Sequence, residues 1–425
     1  MARLQPVRGT HDLLPEEARR HRHVIDVARD WAERYGFAEM ATPVFEFTEV
    51  FNRTLGDTSD VVTKEMYTFN DRGGESITLR PEFTAGVVRA FISGGLSQNL
   101  PIRFFSAGPV FRYERPQKGR LRQFHQINVE CLGIAEPQAD VEIIALAADV
   151  LDALGVLRDC TLEINSLGDS ESRAAYRAKL VEYFTAHAAA LSDDSRVRLQ
   201  KNPLRILDSK DEGDRAIVKG APLLADSLNE SSRAFFGAVL AGLDALGVGY
   251  TVNQRLVRGL DYYSHTAFEF ITSALGAQGT VLAGGRYDAL VETMGGPKTP
   301  GIGWAAGIER LAMLLGDPAN VRRAVALIPI GAAGEAKALT LAHALRRAGL
   351  IVDLAASGNI SKRMKRADKI GARLAVFLGN DELAKGVAVL RDLLNGAQRE
   401  VPLVDLVETL TPATPPAPAF APSRI

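Results

Sequence analysis

Residues 106–133 read SAGPVFRYERPQKGRLRQFHQINVECLG and form the segment of the chain richest in groups able to do chemistry. Two strand-like halves flank a basic loop. Alternate residues of a strand share a face. On the second half Gln123, His125, Ile127, Val129 and Cys131 fall on one, largely apolar side, and Gln126, Asn128 and Glu130 fall on the other. On the first half Arg112 and Glu114 share a face. A sheet with one core side and such a polar side can floor a binding site. A solvent-facing antiparallel sheet, whose outer face is normally polar, has the same pattern. In the loop, Arg115, Lys118, Arg120 and Arg122 surround Gly119. Guanidinium groups pair bidentately with phosphates, which such a cluster suits. A charged hairpin tip has this composition too.

Three other segments carry candidate groups. LVRGLDYYSHTAFEF, residues 256–270, sets two tyrosines beside Arg-Gly-Leu-Asp, a composition that a loop packed on a core also shows. AGGRYD, residues 283–288, reads as a turn. GIGWAAGIERLAML, residues 301–314, misses the dinucleotide fingerprint by one position, and no βαβ unit follows it, so a Rossmann site is rejected. No G-K-S/T phosphate loop and no G-x-S-x-G nucleophile element occurs. His21 and His23 lie two apart on a helix and point to different faces, poor geometry for a metal. His11, His125 and His265 read as structural or solvated residues, and no metal ligands are expected.

The elements that must position these groups follow from periodicity. A helix starts at Pro15, a favoured first helical residue, and stops at Gly36, with Ala18, Ile25, Ala28, Ala32 and Tyr35 as its apolar stripe. Residues 78–133 read as strand-rich, Val141–Leu154 as helical, and about 166–248 as a polar helical module inserted between strand signals. Strands return at Ala267–Ile271. From Arg323 the pattern becomes strand Val325–Ile330, helix Glu335–Ala348, strand Ile351–Leu354, basic helix Ser361–Lys369 and strand Leu374–Leu378. That alternation implies a small α/β domain with a largely parallel sheet. The end, TPATPPAPAFAPSRI, is rich in Pro and Ala and is expected to be disordered.

Composition sets the outer limits. A chain of 425 residues, 46% hydrophobic and 24% charged, is long enough for two or three domains. Fifty Lys and Arg oppose 51 Asp and Glu, so any nucleic-acid contact must rest on local basic patches. Cys131 and Cys160 have neither metal-ligand spacing nor the number for a disulfide framework. The first residues carry no apolar signal core, and no stretch approaches a membrane span. A soluble cytoplasmic protein with no membrane association is expected.

FRYERPQKGRLRQFHQ is similar to motif 2 of class II aminoacyl-tRNA synthetases, in the form that the histidyl-tRNA synthetase family carries. LVRGLDYYSHTAFEF and AGGRYD resemble that family's two signatures, GIGWAAGIERLAML resembles class II motif 3, and TLRPEFTAG, residues 78–86, resembles its histidine-binding segment. RGTHDLLP, residues 8–15, resembles the usual opening, and Trp31–Val50 with Pro43 stands where motif 1, usually a dimer interface, should lie. The resemblance runs from about Arg8 to about Val401. It implies an α+β fold: a class II synthetase antiparallel-sheet catalytic domain over 1–320 with the helical insertion at about 166–248, a C-terminal α/β anticodon-binding domain over 321–410, and the tail 411–425.

The implied activity is ATP-dependent ligation of L-histidine to its tRNA by a homodimer, with Mg²⁺ accompanying the ATP. The implied catalytic residues are Arg112 and Arg258, which would hold the histidine carboxylate and the ATP α-phosphate. Histidine would be bound by Glu82, Thr84, Arg112, Gln126, Glu130, Arg258, Tyr262, Tyr263 and Tyr287, and ATP by Arg112, Arg120 and Arg310. Arg115, Gln117 and Arg122 would face the tRNA acceptor end, and the helix Ser361–Lys369 could meet anticodon-stem phosphates. The rival is a catalytically silent paralogue serving as regulatory subunit of histidine biosynthesis, which generally lacks the intact RGLDYY string and the C-terminal domain. Both are present here.

The role implied for Arg258 separates charge from geometry. Lysine keeps the charge but replaces a planar fork by a single point donor. Arg258→Lys is therefore expected to slow single-turnover adenylate formation on the order of a hundredfold, with ATP binding and transfer from preformed adenylate less affected. Near-wild-type single-turnover kinetics would reduce Arg258 to a charge-balancing residue.

Overall fold

The computed structural model describes residues 3–55, 64–207, 209, 211–257, 262–276, 279–316, 323–355 and 357–411. Arg258 and the tail from residue 412 onward lie outside the described residues. The chain forms two units, Met1–Asp317 and Pro318–Ile425.

The first unit opens with α1 (Pro15–Arg34), whose first turn holds Pro15, Glu16 and Glu17, a start suited to the helix dipole. Its buried face is His21, Val24, Ala28 and Ala32. Ala18, Ile25 and Tyr35 of the predicted stripe lie at the margin of that face, because His21 and Val24 occupy its centre. A two-residue strand, β1 (Ala38–Glu39), leads into a small antiparallel sheet of β2 (Phe45–Phe47), β3 (Tyr67–Asn70) and β4 (Ser76–Leu79), ordered β2-β4-β3. Helix α2 (Thr48–Leu55) follows β2.

Residues 84–93, expected to be strand-rich, form α3 (Thr84–Ser93). Val87 and Val88 favour strands by propensity. Thr84, Ala85, Gly86, Val87, Val88 and Phe91 are all buried, so no amphipathic period marked the helix.

The main sheet is built on the predicted hairpin, β5 (Ile102–Phe111) and β6 (Gln123–Leu132). Helix α4 (Pro137–Ala153) precedes β7 (Thr161–Ser166). Helices α5 (Ser170–Ala186), α6 (Asp193–Lys201), α7 (Glu212–Val218) and α8 (Glu230–Leu246) then fill the insertion. The sheet resumes with β8 (Thr251–Val252), β9 (Ser264–Ile271) and β10 (Thr280–Arg286), and after α9 (Leu290–Thr293) ends with β11 (Gly301–Gly307), which runs directly into α10 (Ile308–Leu314). The eight strands are ordered β1-β5-β6-β11-β10-β9-β7-β8. All pairings are antiparallel except the two outermost, β1 with β5 and β7 with β8.

One face of this sheet is dry. Ile127, Val129 and Cys131 of β6, Phe268 and Phe270 of β9 and Trp304 of β11 join a core with residues of α1, α4, α8 and α10. A buried ion pair crosses the same layer. Arg286, at the end of β10, donates to Asp140 of α4, and to the carbonyls of Ile134 and Glu136 that lead into that helix. Both side chains are fully buried. The opposite face of β6 carries Gln126, Asn128 and Glu130.

In the second unit β12 (Val325–Pro329), α11 (Gly331–Arg347), β13 (Val352–Leu354), α12 (Ile360–Lys369) and β14 (Leu374–Leu378) alternate, and the three strands are parallel in the order β13-β12-β14. After α13 (Asn380–Ala384) come β15 (Val387–Asp392) and β16 (Gln398–Pro402), a hairpin that extends the sheet antiparallel, and then α14 (Leu406–Leu410). The expected largely parallel sheet is therefore mixed. Its missed hairpin turns at Asn395-Gly396, with Gly396 at φ +76°, the dipeptide most suited to a tight turn between strands.

Candidate active site

The β5–β6 hairpin, the turn before α3, β10, β11 and the first turn of α10 enclose a cavity of about 220 Å³. Glu82, Thr84, Arg112, Arg120, Gln126, Tyr262, Tyr263, Tyr287 and Arg310 all line it, with Asn128, Glu114 and Glu309. Segments more than two hundred residues apart thus meet at one place, and each had been singled out by its own string.

One end of the cavity is rich in hydrogen-bond acceptors. Glu82 is buried, and its carboxylate accepts the backbone N–H groups of Thr84 and Ala85 at the start of α3. Burial pushes its carboxyl above the usual range, and those two bonds oppose the shift. Glu130 lies just behind the cavity wall, 1% exposed. The hydroxyl of Thr84 donates to its Oε1, the hydroxyl of Tyr287 to its Oε2, and the amide of Asn128 to Oε1 at 3.0 Å. Burial raises the Glu130 carboxyl to about 7 despite these three donors. Because both hydroxyls spend their protons on an ionised Glu130, they offer only lone pairs to whatever enters. Two further buried acceptors, Gln126 Oε1 and Asn128 Oδ1, have no donor among the described residues. The rings of Tyr262, Tyr263 and Tyr287 pack together beside them, with centroids 4.6 and 5.8 Å apart.

The other end is cationic. Arg112 donates to the carbonyl of Pro81 at 3.0 Å and lies over Phe124, with 5.4 Å between guanidinium and ring. Arg120 pairs with Glu114. Arg310 donates to the carbonyls of Gly119 at 3.1 Å and Thr280 at 2.6 Å, and burial lowers its pKa. The hairpin tip is a tight turn: Gln117 and Arg120 exchange two backbone bonds around Lys118-Gly119, and Gly119 takes φ +72°. Arg115 and Gln117 are exposed there, whereas Arg122 stacks on Tyr113 at 3.8 Å and donates to the carbonyl of Glu114.

Several features escaped the sequence. Gly301 and Gly303 of β11 make room for the site's own side chains. A Cβ at Gly303 would fall 2.0 Å from Glu130 Oε2, and one at Gly301 would fall 2.3 Å from the Tyr287 ring. His21, read as a poor metal partner for His23, and His125, read as structural or solvated, meet at Glu309. The Glu309 carboxylate accepts the His125 backbone N–H at 3.0 Å and lies 2.9 Å from its ring Nδ1, and the three residues have donor atoms within 4.8 Å of one another. Spacing along one helix could not reveal a cluster drawn from α1, β6 and α10. On α12, Arg363 is buried and bonded to Gly358, Pro329 and Glu335, and Arg366 pairs with Asp353. Lys362, Lys365 and Lys369 are the exposed cations of that helix without such a pairing among the described contacts.

An antiparallel sheet with a cation-tipped hairpin beside a glycine-rich strand that runs into a helix is the catalytic core of a class II aminoacyl-tRNA synthetase. The histidyl-tRNA synthetase family profile matches residues 9–311, and an anticodon binding domain profile matches residues 324–412. The histidine--tRNA ligase of Rhodospirillum rubrum is 63% identical over 411 residues, covering 96% of this chain and 99% of that protein. The histidine--tRNA ligase of Gluconobacter oxydans is 57% identical over 97% of this chain and 99% of its own. The crystal structure of apo S. aureus histidyl-tRNA synthetase superposes with a TM-score of 0.81 at 34% identity, over 96% of this chain and 100% of that one. The chain belongs to the histidyl-tRNA synthetase family.

The position of Glu130 predicts a pH dependence. Its carboxyl, raised to about 7, is neutral below that pH and ionised above it. If only the ionised form orients the two hydroxyls as acceptors, KM for histidine should fall about tenfold between pH 6 and pH 8. Histidine's own imidazole titrates in the same range, so the test is a comparison with Glu130→Gln, which keeps the substrate's contribution and removes the protein's. Parallel profiles for the two enzymes would disprove the role of Glu130.

Proposed function

We propose that this chain works as a histidine–tRNA ligase through a cavity whose two ends select opposite charges. The observation that carries the reading is this polarity. Unpartnered and oriented acceptors at one end suit the ammonium and ring N–H groups of histidine, and Arg112, Arg120 and Arg310 at the other suit ATP phosphates. Family membership, with 63% and 57% identity to ligases over almost the whole chain, favours catalysis over the silent regulatory subunit.

The histidine carboxylate attacks the ATP α-phosphorus in line, and the bond to the bridging oxygen of pyrophosphate breaks. Arg112, with Arg258 outside the described residues, holds the two anionic reactants together and offsets charge growing on the phosphoryl oxygens. Positioning and electrostatics are the main protein contributions to this kind of transfer. Glu82, Thr84, Gln126, Tyr262, Tyr263 and Tyr287 hold histidine, with Glu130 acting through Thr84 and Tyr287. The terminal ribose hydroxyl of tRNA then attacks the adenylate carbonyl and releases AMP. Arg115, Gln117 and Arg122 face the acceptor end in this scheme, Arg122 with its guanidinium already stacked on Tyr113. Mg²⁺ fits the donor set: Glu114 and Glu309 supply carboxylates at the cavity, and this ion typically uses one or two of them alongside substrate phosphates. When bound it would neutralise phosphate charge.

The protein is proposed to act as a homodimer. Register places Phe45, Phe47, Tyr67, Phe69, Ile77 and Leu79 on one face of the small sheet, and Phe45, Phe47 and Phe69 are 56%, 54% and 49% exposed. An aromatic patch of this kind beside the motif 1 segment suits a second copy of the chain. No helix among the described residues is long and apolar enough to cross a membrane. Cytoplasmic placement is proposed on the free thiols of Cys131 and Cys160.

Histidine-dependent ATP–pyrophosphate exchange followed by tRNA charging is the direct test, and absence of exchange would favour the regulatory reading. Ending the chain after Gly316 should impair charging far more than exchange, since every described histidine and ATP residue precedes that point; equal loss in a folded truncate would remove the division of labour. Sedimentation at micromolar concentration is expected to find a dimer, and Phe47→Glu a monomer. A fully active wild-type monomer would refute the pairing.

A further inference from the structure

Alternation sets Asn128 on the site face of β6, and the family resemblance implies no role for it. It lies between Gln126 and Glu130 on that face, lines the cavity and is 1% exposed. Its amide orientation is fixed by chemistry. Nδ2 has two acceptors in reach, Glu130 Oε1 at 3.0 Å and the carbonyl of Trp304 at 3.2 Å. Turning the amide over would set its oxygen against both of them. Oδ1 is left buried with no donor among the described residues. An unsatisfied buried acceptor is costly, and it is retained where a ligand completes it. The nearest comparable atom is Gln126 Oε1, equally unpartnered, two residues along the same strand face and so about 7 Å away at the backbone. Histidine is a ligand with N–H donors at both of its ends.

We propose that Asn128 is a specificity-determining residue whose side-chain oxygen accepts an N–H of the substrate amino acid while its amide holds Glu130. The inference rests on the reading of this cavity as the histidine site. The donor is either the ring N–H or the α-ammonium, and the test distinguishes them. Asn128 thereby ties recognition to Glu130, because one planar amide faces the substrate with its oxygen and the carboxylate with its nitrogen. Replacing it removes both links at once, so the variant alone cannot tell direct recognition from support of Glu130, and substrate analogues are needed.

The experiment uses the full-length enzyme and pyrophosphate exchange. Asn128→Ala is expected to raise KM for histidine about tenfold, the typical loss for one buried hydrogen bond, with KM for ATP unchanged. Asn128→Ser, polar and too short to reach, should show the same loss and serves if the alanine variant folds poorly. Two competitive inhibitors are then compared on wild type and variant: 3-(2-thiazolyl)alanine, which lacks the ring N–H, and imidazole-4-propionate, which lacks the ammonium. The inhibitor missing the recognised donor should lose little on substitution, and the other should lose as much as histidine. An unchanged KM for histidine would overturn the proposal. So would equal losses for histidine and both inhibitors, which would confine Asn128 to holding Glu130. Wild-type enzyme with no histidine-dependent exchange would overturn the reading of the cavity and this inference with it. Exchange retained in wild type, with Asn128→Ala indifferent, would overturn the inference alone.

Discussion

A carboxylate sealed inside a sheet is expensive unless donors surround it, and the site is organised around meeting that requirement for Glu130. Its three donors come from the start of α3, from the next polar position of its own strand and from the residue following β10. The neighbouring strand must leave space, which is why Gly303 faces it without a side chain. Segments whose strings look unrelated are therefore bound by one constraint: each supplies either a proton or a void to the same buried group. The ion pair of Arg286 with Asp140 fixes the end of β10 from the opposite side of the sheet, and so anchors the residue next to Tyr287 without touching the cavity.

The cationic end is held more loosely. Arg310 grips the hairpin tip through a backbone carbonyl, and Arg120 leans on Glu114. On the proposed function these contacts involve groups that a triphosphate would compete for, so nucleotide binding would exchange internal partners for phosphate oxygens. The acceptor end needs no such exchange, because Gln126 Oε1 and Asn128 Oδ1 have no partner to lose among the described residues. On the proposed reading of the two ends, amino acid recognition is preorganised, whereas phosphate recognition requires rearrangement.

Legibility in the sequence followed the same division. Strand alternation alone put Gln126, Asn128 and Glu130 on one face, and the family strings brought in Glu82, Thr84, Tyr262, Tyr263, Tyr287 and Arg310, all of which the fold collects at one cavity. Alternation could not say that Glu130 would sit behind the wall rather than in it, since depth depends on Tyr287, 157 residues away. Helix α3 is not legible because burial on all sides erases the helical period, and the only local mark of the C-terminal hairpin is its Asn-Gly turn. The basic helix α12 is legible only in part. Five cations in nine residues suggest a phosphate-binding surface, yet Arg363 and Arg366 serve contacts within their own unit. Composition counts charges and cannot tell which of them are already spent.

The acceptor-rich end also bears on selectivity. A hydrophobic pocket discriminates weakly between ligands of similar shape, whereas a pocket of buried polar atoms penalises any ligand that leaves them unpaired. Each unsatisfied buried acceptor costs about 1–3 kcal/mol, so a ligand that pairs neither Gln126 Oε1 nor Asn128 Oδ1 forfeits roughly twice that, between about 30-fold and 10⁴-fold in binding. Apolar amino acids of histidine's size can still pair one of the two through the α-ammonium, so they forfeit one such bond, roughly 5-fold to 150-fold. Polar ones such as glutamine carry an N–H but lack the flat ring that the clustered faces of Tyr262, Tyr263 and Tyr287 can enclose. Discrimination by unpaired polar atoms and discrimination by shape thus act on different competitors, and together they make accuracy attainable at the binding step without a second, hydrolytic site.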